Sequence, residues 1–245
     1  MPALRRVGHK GAGALAAPNT PAAFDAALAA GVDMIEFDVL PADADDPLGS
    51  PLLLLHDYDR GIAGATPLEE ALAHLAGPAF AGVELDVDLK WHGYEARVAE
   101  ALAAAGLVER SLVSSAWMRS LVAVRRAEPG LRTGWSVPRV RRDYTASRLY
   151  ALPAHGALAW VRRRLPRAAA RHLRAGRCQA VMAHWRLVSP ALVRAVRDAG
   201  GELYAWTVDD AGQIRALEAL GVTGVITNDP RLFAAPVSAA GTSPR

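Results

Sequence analysis

Short apolar runs alternate with alanine-rich helical stretches along most of the chain. Leu4–His9 reads as a first strand. Asn19-Thr20-Pro21 then opens a helix, because Asn19 or Thr20 can cap it and Pro21 suits its first turn. Gly31 closes that helix and Val32–Val39 is the next strand. Pro51–His56, Gly82–Lys90, Ser111–Ser115 and Leu131–Val137 follow, then Ala180–His184, Glu202–Val208 and Gly224–Thr227. Strands alternating with helices of this length predict a parallel sheet. The 245 residues are close to the roughly 250 of a typical (β/α)₈ barrel. The expected fold is therefore an α/β, single-domain TIM barrel over residues 1–235, with a flexible tail at 236–245. Nine strand-like runs compete for eight places, and Leu131–Val137 or Ala180–His184 is the expected surplus. An open doubly wound sheet is disfavoured, because no glycine fingerprint of a dinucleotide site follows the first strand.

Polar residues gather at the C-terminal ends of these runs, where barrel enzymes build their sites. The first strand ends in His9-Lys10-Gly11, the second in Glu36-Phe37-Asp38, the third in His56-Asp57 and the fourth in Asp86-Val87-Asp88-Leu89-Lys90. The penultimate strand ends in Trp206-Thr207-Val208-Asp209. Strand side chains two apart share a face. Glu36 and Asp38 thus point one way while Ile35 and Phe37 pack against helices, and Asp86, Asp88 and Lys90 point inward together. Glu84 shares that parity but lies deeper, where a buried structural ion pair or a bottom-layer polar residue is its expected role. Carboxylates crowded at one barrel mouth repel each other without a cation. A hard divalent ion on oxygen ligands removes the conflict. With one cysteine and few spare histidines, Mg²⁺ or Ca²⁺ is expected in place of zinc.

Composition narrows the setting. The net charge is only +3 and much of the positive charge falls between Arg139 and Arg177, so nucleic acid is not implied. A lone cysteine, Cys178, allows no intrachain disulfide, and the N-terminus shows no apolar leader; a cytoplasmic location is expected. Within the basic helical segment 139–177, Leu158, Val161, Leu165, Ala169 and Leu173 recur at helical spacing among six arginines, with Trp160 beside them and Pro166 as an expected kink. Such a helix is either a barrel helix with a solvated basic face or, through 157–175, a peripheral contact with an anionic membrane.

The ordered set of motifs, from about Val7 to Phe233, resembles the glycerophosphodiester phosphodiesterase family. GHKGAGALAAPNTPAAF looks like the family's His-Arg-Gly…Glu-Asn-Thr…Ala-Phe stretch, GVDMIEFDV like its Glu-x-Asp strand, LLLLHD like its His-Asp strand and LDVDLK like its Glu-x-Lys strand. LYAWTVDD and GVTGVITNDPRLF resemble its closing segments. The resemblance implies His9 and His56 as the acid/base pair and Glu36, Asp38 and Asp88 as ligands of one divalent cation. It implies Lys10 and Lys90 as phosphate contacts and Trp206 as a wall of the substrate pocket. It also implies metal-dependent hydrolysis of glycerophosphodiesters to glycerol 3-phosphate and an alcohol, through a cyclic phosphate.

Four departures stand out. Lys10 replaces the usual arginine and loses bidentate recognition of phosphate. Pro18 replaces a glutamate, Asp88 replaces a glutamate, and only YDRGIAGATP follows His56-Asp57 where the family inserts a small subdomain. An open wall is expected there, with Arg60 either reaching a phosphate or head group or standing as a solvated arginine. The spider-venom sphingomyelinase D relatives also use Asp-x-Lys on the fourth strand, so a phospholipase-D-like lyase acting on lysophospholipid or sphingolipid is the first rival. A barrel that binds a phosphorylated ligand or membrane without turnover is the second.

Overall fold

The computed structural model describes residues 3–59, 61–138 and 151–234, with backbone alone in 151–158. The features expected at 139–150, at Arg60 and at 236–245 lie outside the described residues. Eight parallel strands close a barrel: β1 (Arg5–Gly8), β2 (Met34–Pro41), β4 (Glu84–Leu89), β5 (Ser111–Ser115), β6 (Arg132–Val137), β7 (Ala180–His184), β8 (Glu202–Trp206) and β9 (Gly224–Thr227). β9 pairs back onto β1 through Val7 and Ile226, and β1 onto β2 through Val7 and Met34. Both runs suspected of being surplus, Leu131–Val137 and Ala180–His184, are barrel strands.

The surplus run is Pro51–His56. Only Leu52–Leu53 of it is strand (β3), and it pairs antiparallel to β2 through Leu40 with Leu53 and Pro41 with Leu52. The reason is connection length. A parallel return needs a crossover of a dozen or more residues, usually helical. Residues 42–50, ADADDPLGS, form no helix, so the chain doubles back as a hairpin. The crossover from β2 to β4 is then made by α2 (Leu68–Leu75).

The remaining helices are α1 (Pro21–Ala29), α3 (Glu95–Ala104), α4 (Met118–Ala127), α5 (Ala151–Arg174), α6 (Pro190–Arg197) and α7 (Ala211–Leu220). Local chemistry sets their starts. Thr20 caps α1 by accepting from Ala23 N, Ser189 caps α6, and Asp210 caps α7, with Pro21 and Pro190 at first-turn positions. Gly221, at φ 87°, closes α7 in the left-handed region that favours glycine.

Strand parity sorts the core as expected. Ile35, Phe37, Val39, Leu85, Val87 and Leu89 are buried against the outer helices. Val7, Met34, Leu112, Met182, Tyr204 and Ile226 fill the barrel interior. Gly224 makes room there, because a Cβ would stand 2.7 Å from the Tyr204 ring. Below this layer Glu84 forms ion pairs with Arg5 and Arg132, both at 2.9 Å, and Glu202 joins the same two arginines. That network plugs the end of the barrel opposite the site, so Glu84 has the structural role its depth implied.

Candidate active site

The mouth of the barrel holds a cavity of about 710 Å³. His9, Glu36, His56, Asp86, Asp88, Lys90 and Trp206 line it. β2 and β4 run in register with Glu36 beside Asp86 and Asp38 beside Asp88, so four carboxyl groups stack in two rows. Ligand oxygens of Glu36, Asp38 and Asp88 lie within 4.8 Å of one another. Lys90 Nζ stands 2.7 Å from Asp38 Oδ1 and also contacts Asp88, while Lys10 Nζ is 3.3 Å from Asp38 Oδ2.

The electrostatics of this cluster follow from burial. Glu36, Asp38 and Asp86 are all nearly inaccessible to solvent. Burial, reinforced by the Asp38 charge, holds the Glu36 carboxyl well above the usual range. Burial and the Asp88 charge push Asp86 up to about 8. Burial would also raise Asp38, but the ammonium groups of Lys90 and Lys10 outweigh it and hold that carboxyl down. Desolvation opposes the Lys90 charge, yet Asp38 and Asp88 keep its pKa well above the ordinary lysine value. Four carboxyl groups against two ammonium groups leave an excess of two negative charges when all are ionised. Asp86 Oδ1 is buried without a hydrogen-bond partner among the described residues. The donor set, all hard oxygen, and the charge imbalance fit one divalent cation.

The backbone around the first strand aims these groups. Lys10 adopts φ 55° and its N–H donates to Glu36 Oε2 at 2.8 Å. Gly11 N donates to the Glu36 carbonyl at 3.0 Å. Asn19, read from sequence as a candidate cap, does something else. It sits at φ 61°, its Nδ2 donates to Asp38 Oδ2 at 2.9 Å, and its Oδ1 accepts from Asp38 N at 3.1 Å. Thr20 alone is the cap.

The two histidines have different partners. His9 Nδ1 is 2.6 Å from Asn228 Oδ1. The Asn228 amide is itself oriented, because its Nδ2 donates to Asp209 Oδ2 at 2.7 Å. Asp209 Oδ1 accepts from Asn228 N at 2.8 Å and from Thr227 Oγ1 at 3.0 Å. An amide oxygen can only accept, so His9 carries its proton on Nδ1 and presents the bare Nε2, 3.8 Å from Glu36 Oε2, to the cavity. Burial lowers the His9 pKa to about 4, so the ring is neutral near pH 7. His56 instead donates from Nδ1 to the Asp57 carboxylate at 2.7 Å. It does not end a barrel strand; it follows β3, and Leu55 N donates to the Asp38 carbonyl at 3.2 Å, which ties the segment to the mouth.

Tryptophans line the cavity from opposite sides, Trp206 at the end of β8 and Trp91 and Trp117 after β4 and β5. Trp206 donates from Nε1 to the Met182 carbonyl at 2.8 Å and packs edge-on against His184. Trp91 and Trp117 meet edge-to-face with centroids 6.3 Å apart. In the short connection after Asp57, Tyr58, which also lines the cavity, and Ile62 are 37% and 45% exposed. Asn19, Asn228 and Asp209 were absent from the expected site. Their signals lay in the Asn-Thr and Thr-Asn-Asp-Pro motifs and in the last strand ends, but nothing local assigned them partners.

The sequence profile of the glycerophosphoryl diester phosphodiesterase family matches residues 9–41 and 109–232, more than half of the chain. A glycerophosphodiester phosphodiesterase of Arabidopsis thaliana is 29% identical over 262 residues, covering 92% of this chain and 70% of that protein. The crystal structure of a glycerophosphodiester phosphodiesterase from Agrobacterium tumefaciens superposes with a TM-score of 0.65 at 23% identity, covering 96% of this chain and all of that one. A phosphodiesterase from Oleispira antarctica, in complex with its product sn-glycerol-3-phosphate, superposes with a TM-score of 0.64 at 18% identity, covering 94% of this chain and 97% of that one. The profile match leaves out 42–108, the stretch that carries β3, His56, Asp88 and Lys90.

Proposed function

The chain belongs to the glycerophosphoryl diester phosphodiesterase family and is a phosphodiester hydrolase, and on that premise we propose that it cleaves glycerophosphodiesters to glycerol 3-phosphate and an alcohol by histidine acid–base catalysis. The observation that carries this reading is the unequal partnering of two histidines on one cavity. His9, whose Nδ1 faces a neutral amide, is the base; His56, whose Nδ1 donates to the Asp57 carboxylate, is the acid.

In the first step His9 Nε2 takes the proton of the glycerol 2-hydroxyl. The freed oxygen attacks phosphorus, the bond from phosphorus to the head-group oxygen breaks, and His56 gives that oxygen its proton. The product is a cyclic phosphate and an alcohol. With the proton positions now reversed, His56 takes a proton from water, water opens the ring, and His9 returns a proton to the 2-oxygen. Glu36, Asp38 and Asp88 would hold one Mg²⁺ or Ca²⁺, which when bound supplies positive charge against the phosphate oxygens. Lys90 and Lys10 flank the same carboxylates and extend that positive charge toward the phosphate, and Trp206 bounds the substrate. Phosphorus NMR of glycerophosphocholine turnover, with and without chelator, tests the reading: glycerol 3-phosphate should accumulate, and chelator should stop it.

A second reading rests on the exposure of Tyr58 and Ile62 in the short connection after Asp57. An enzyme open on that side admits intact lysophospholipid and releases the cyclic phosphate unhydrolysed. Accumulation of a cyclic phosphate from lysophosphatidylcholine in the same experiment distinguishes that lyase.

A further inference from the structure

α5 departs from the other barrel helices in length and in charge. It has 24 residues where the other six have eight to ten. At about 1.5 Å per residue it runs about 36 Å, more than twice its neighbours. Its buried stripe, Leu165, Ala169 and Leu173, spans no more than an ordinary barrel helix and packs on the same core as Leu192 and Val196 of α6. The surplus length lies before that stripe. α5 leads from β6 to β7, so its N-terminal end is on the mouth side of the barrel. The first turns of α5 therefore lie toward the mouth end of the barrel.

Charge is segregated along the same element. Between Ala151 and Arg197 the chain has ten arginines, no lysine and no acidic residue, although the whole chain carries only +3. The remainder is thus net negative and the positive field is concentrated on one flank. Arg163, Arg164, Arg167, Arg171 and Arg174 are exposed on α5, as are Arg194 and Arg197 on α6. A groove of about 630 Å³ between the two helices is bounded by Arg167, Arg171 and Arg174, with Pro166 and three alanines as its floor and Asp198 at its rim. Exclusive use of arginine suits phosphate, whose oxygens match the planar donor fork. At the mouth-side end the pattern changes. Ala151–Ala159 contains no charged residue, and Trp160 follows, 58% exposed with the Arg164 guanidinium 4.5 Å from its ring centre.

An uncharged helix end, then a tryptophan, then an arginine belt is the order of chemistry met on entering a bilayer from its interior outward. A single-stranded nucleic acid would instead want rings along the basic groove on which bases stack, and the floor of this groove is alanine and proline. We propose that the α5–α6 flank docks the protein on an anionic phospholipid bilayer. Trp160 enters the headgroup boundary, the exposed arginines take lipid phosphates, and the mouth side of α5 faces the membrane. Docking is independent of the phosphodiester chemistry, since neither Trp160 nor the described arginines of α5 and α6 line the catalytic cavity.

The test is sedimentation of the full chain with vesicles of phosphatidylglycerol and, separately, of phosphatidylcholine, at low and high salt. Binding to phosphatidylglycerol alone, weakened by salt, is expected. The triple variant Arg163→Ser, Arg167→Ser, Arg171→Ser should bind about 10²-fold more weakly, from the roughly fivefold that each surface arginine contributes. Trp160→Ser should weaken binding without changing its salt dependence. Circular dichroism and turnover of soluble glycerophosphocholine should match the parent in both variants. Absence of binding to phosphatidylglycerol at low salt, equal binding to both lipids, or undiminished binding by the triple variant overturns the proposal. Tighter binding of a single-stranded RNA oligomer than of the vesicles also overturns it.

Discussion

Asn19 holds Asp38 with two hydrogen bonds, one from its amide nitrogen to the carboxylate at 2.9 Å and one from the Asp38 backbone N–H to its amide oxygen at 3.1 Å. Both residues are buried, so the carboxylate has one orientation, facing Lys90 and the other acids of the mouth. Asn19→Gly keeps the left-handed backbone easy and deletes only the clamp. It should lower divalent-cation affinity by about 10- to 100-fold, the usual effect of removing a group that orients a ligand. Calorimetric titration with Mg²⁺ or Ca²⁺ checks this, and unchanged affinity removes Asn19 from the site.

His9→Ala and His56→Ala should each lower kcat by about 10²-fold or more, the usual scale of acid–base catalysis. Folding should be intact, as read by circular dichroism. A variant with near-parent kcat would exclude that histidine from the mechanism.

Asp209→Asn tests the tautomer of His9 without touching the ring. Asn228 N and Thr227 Oγ1 both donate to Asp209 Oδ1, so the new side chain keeps its oxygen there and turns its NH₂ toward Asn228. The Asn228 amide must then flip and offer N–H to His9 Nδ1, moving the ring proton to Nε2. kcat should fall by about 10²-fold at unchanged KM. Nitrogen NMR of the His9 ring should report the exchanged tautomer; a wild-type tautomer with full activity would refute the relay.

Cation binding should release protons. Burial holds Glu36 well above the carboxylate range and Asp86 at about 8. The Glu36 proton must leave before that carboxylate can bind a cation, so affinity should climb as pH rises through the raised Glu36 range. Stability without cation runs the other way. Both folded pKa values are raised, so this contribution is fully present below the unfolded carboxylate pKa and is lost as pH rises through the folded values. Calorimetry in buffers of different ionisation heat measures the proton release directly, and pH-independent affinity would contradict the charge balance argued for the mouth.

Head-group selectivity should be weak. The connection after Asp57 is too short for an independent subdomain, and Tyr58 and Ile62 stand exposed in it. Pockets discriminate through the groups they bury. Across glycerophosphodiesters with small and large head groups, kcat/KM should vary by less than about tenfold, or roughly 1.4 kcal/mol. A strict preference would mean that another element closes this side.

The sequence by itself determined the barrel and the faces of its strands. Period-two parity places Glu36 and Asp38 opposite Ile35 and Phe37 and turns Glu84 inward at the deep end of its strand, because a strand allows only two side-chain directions, while its partners Arg5 and Arg132 come from other strands. The tertiary structure decided what no local pattern encodes. Pro51–His56 reads as a barrel strand by its own residues; only the missing crossover helix before it turns β3 antiparallel and makes His56 a loop residue. The partners of the histidines were likewise out of reach. Asn228 is 219 positions from His9, and it is barrel closure, β9 pairing onto β1, that brings the amide to the ring and decides which nitrogen of His9 is bare.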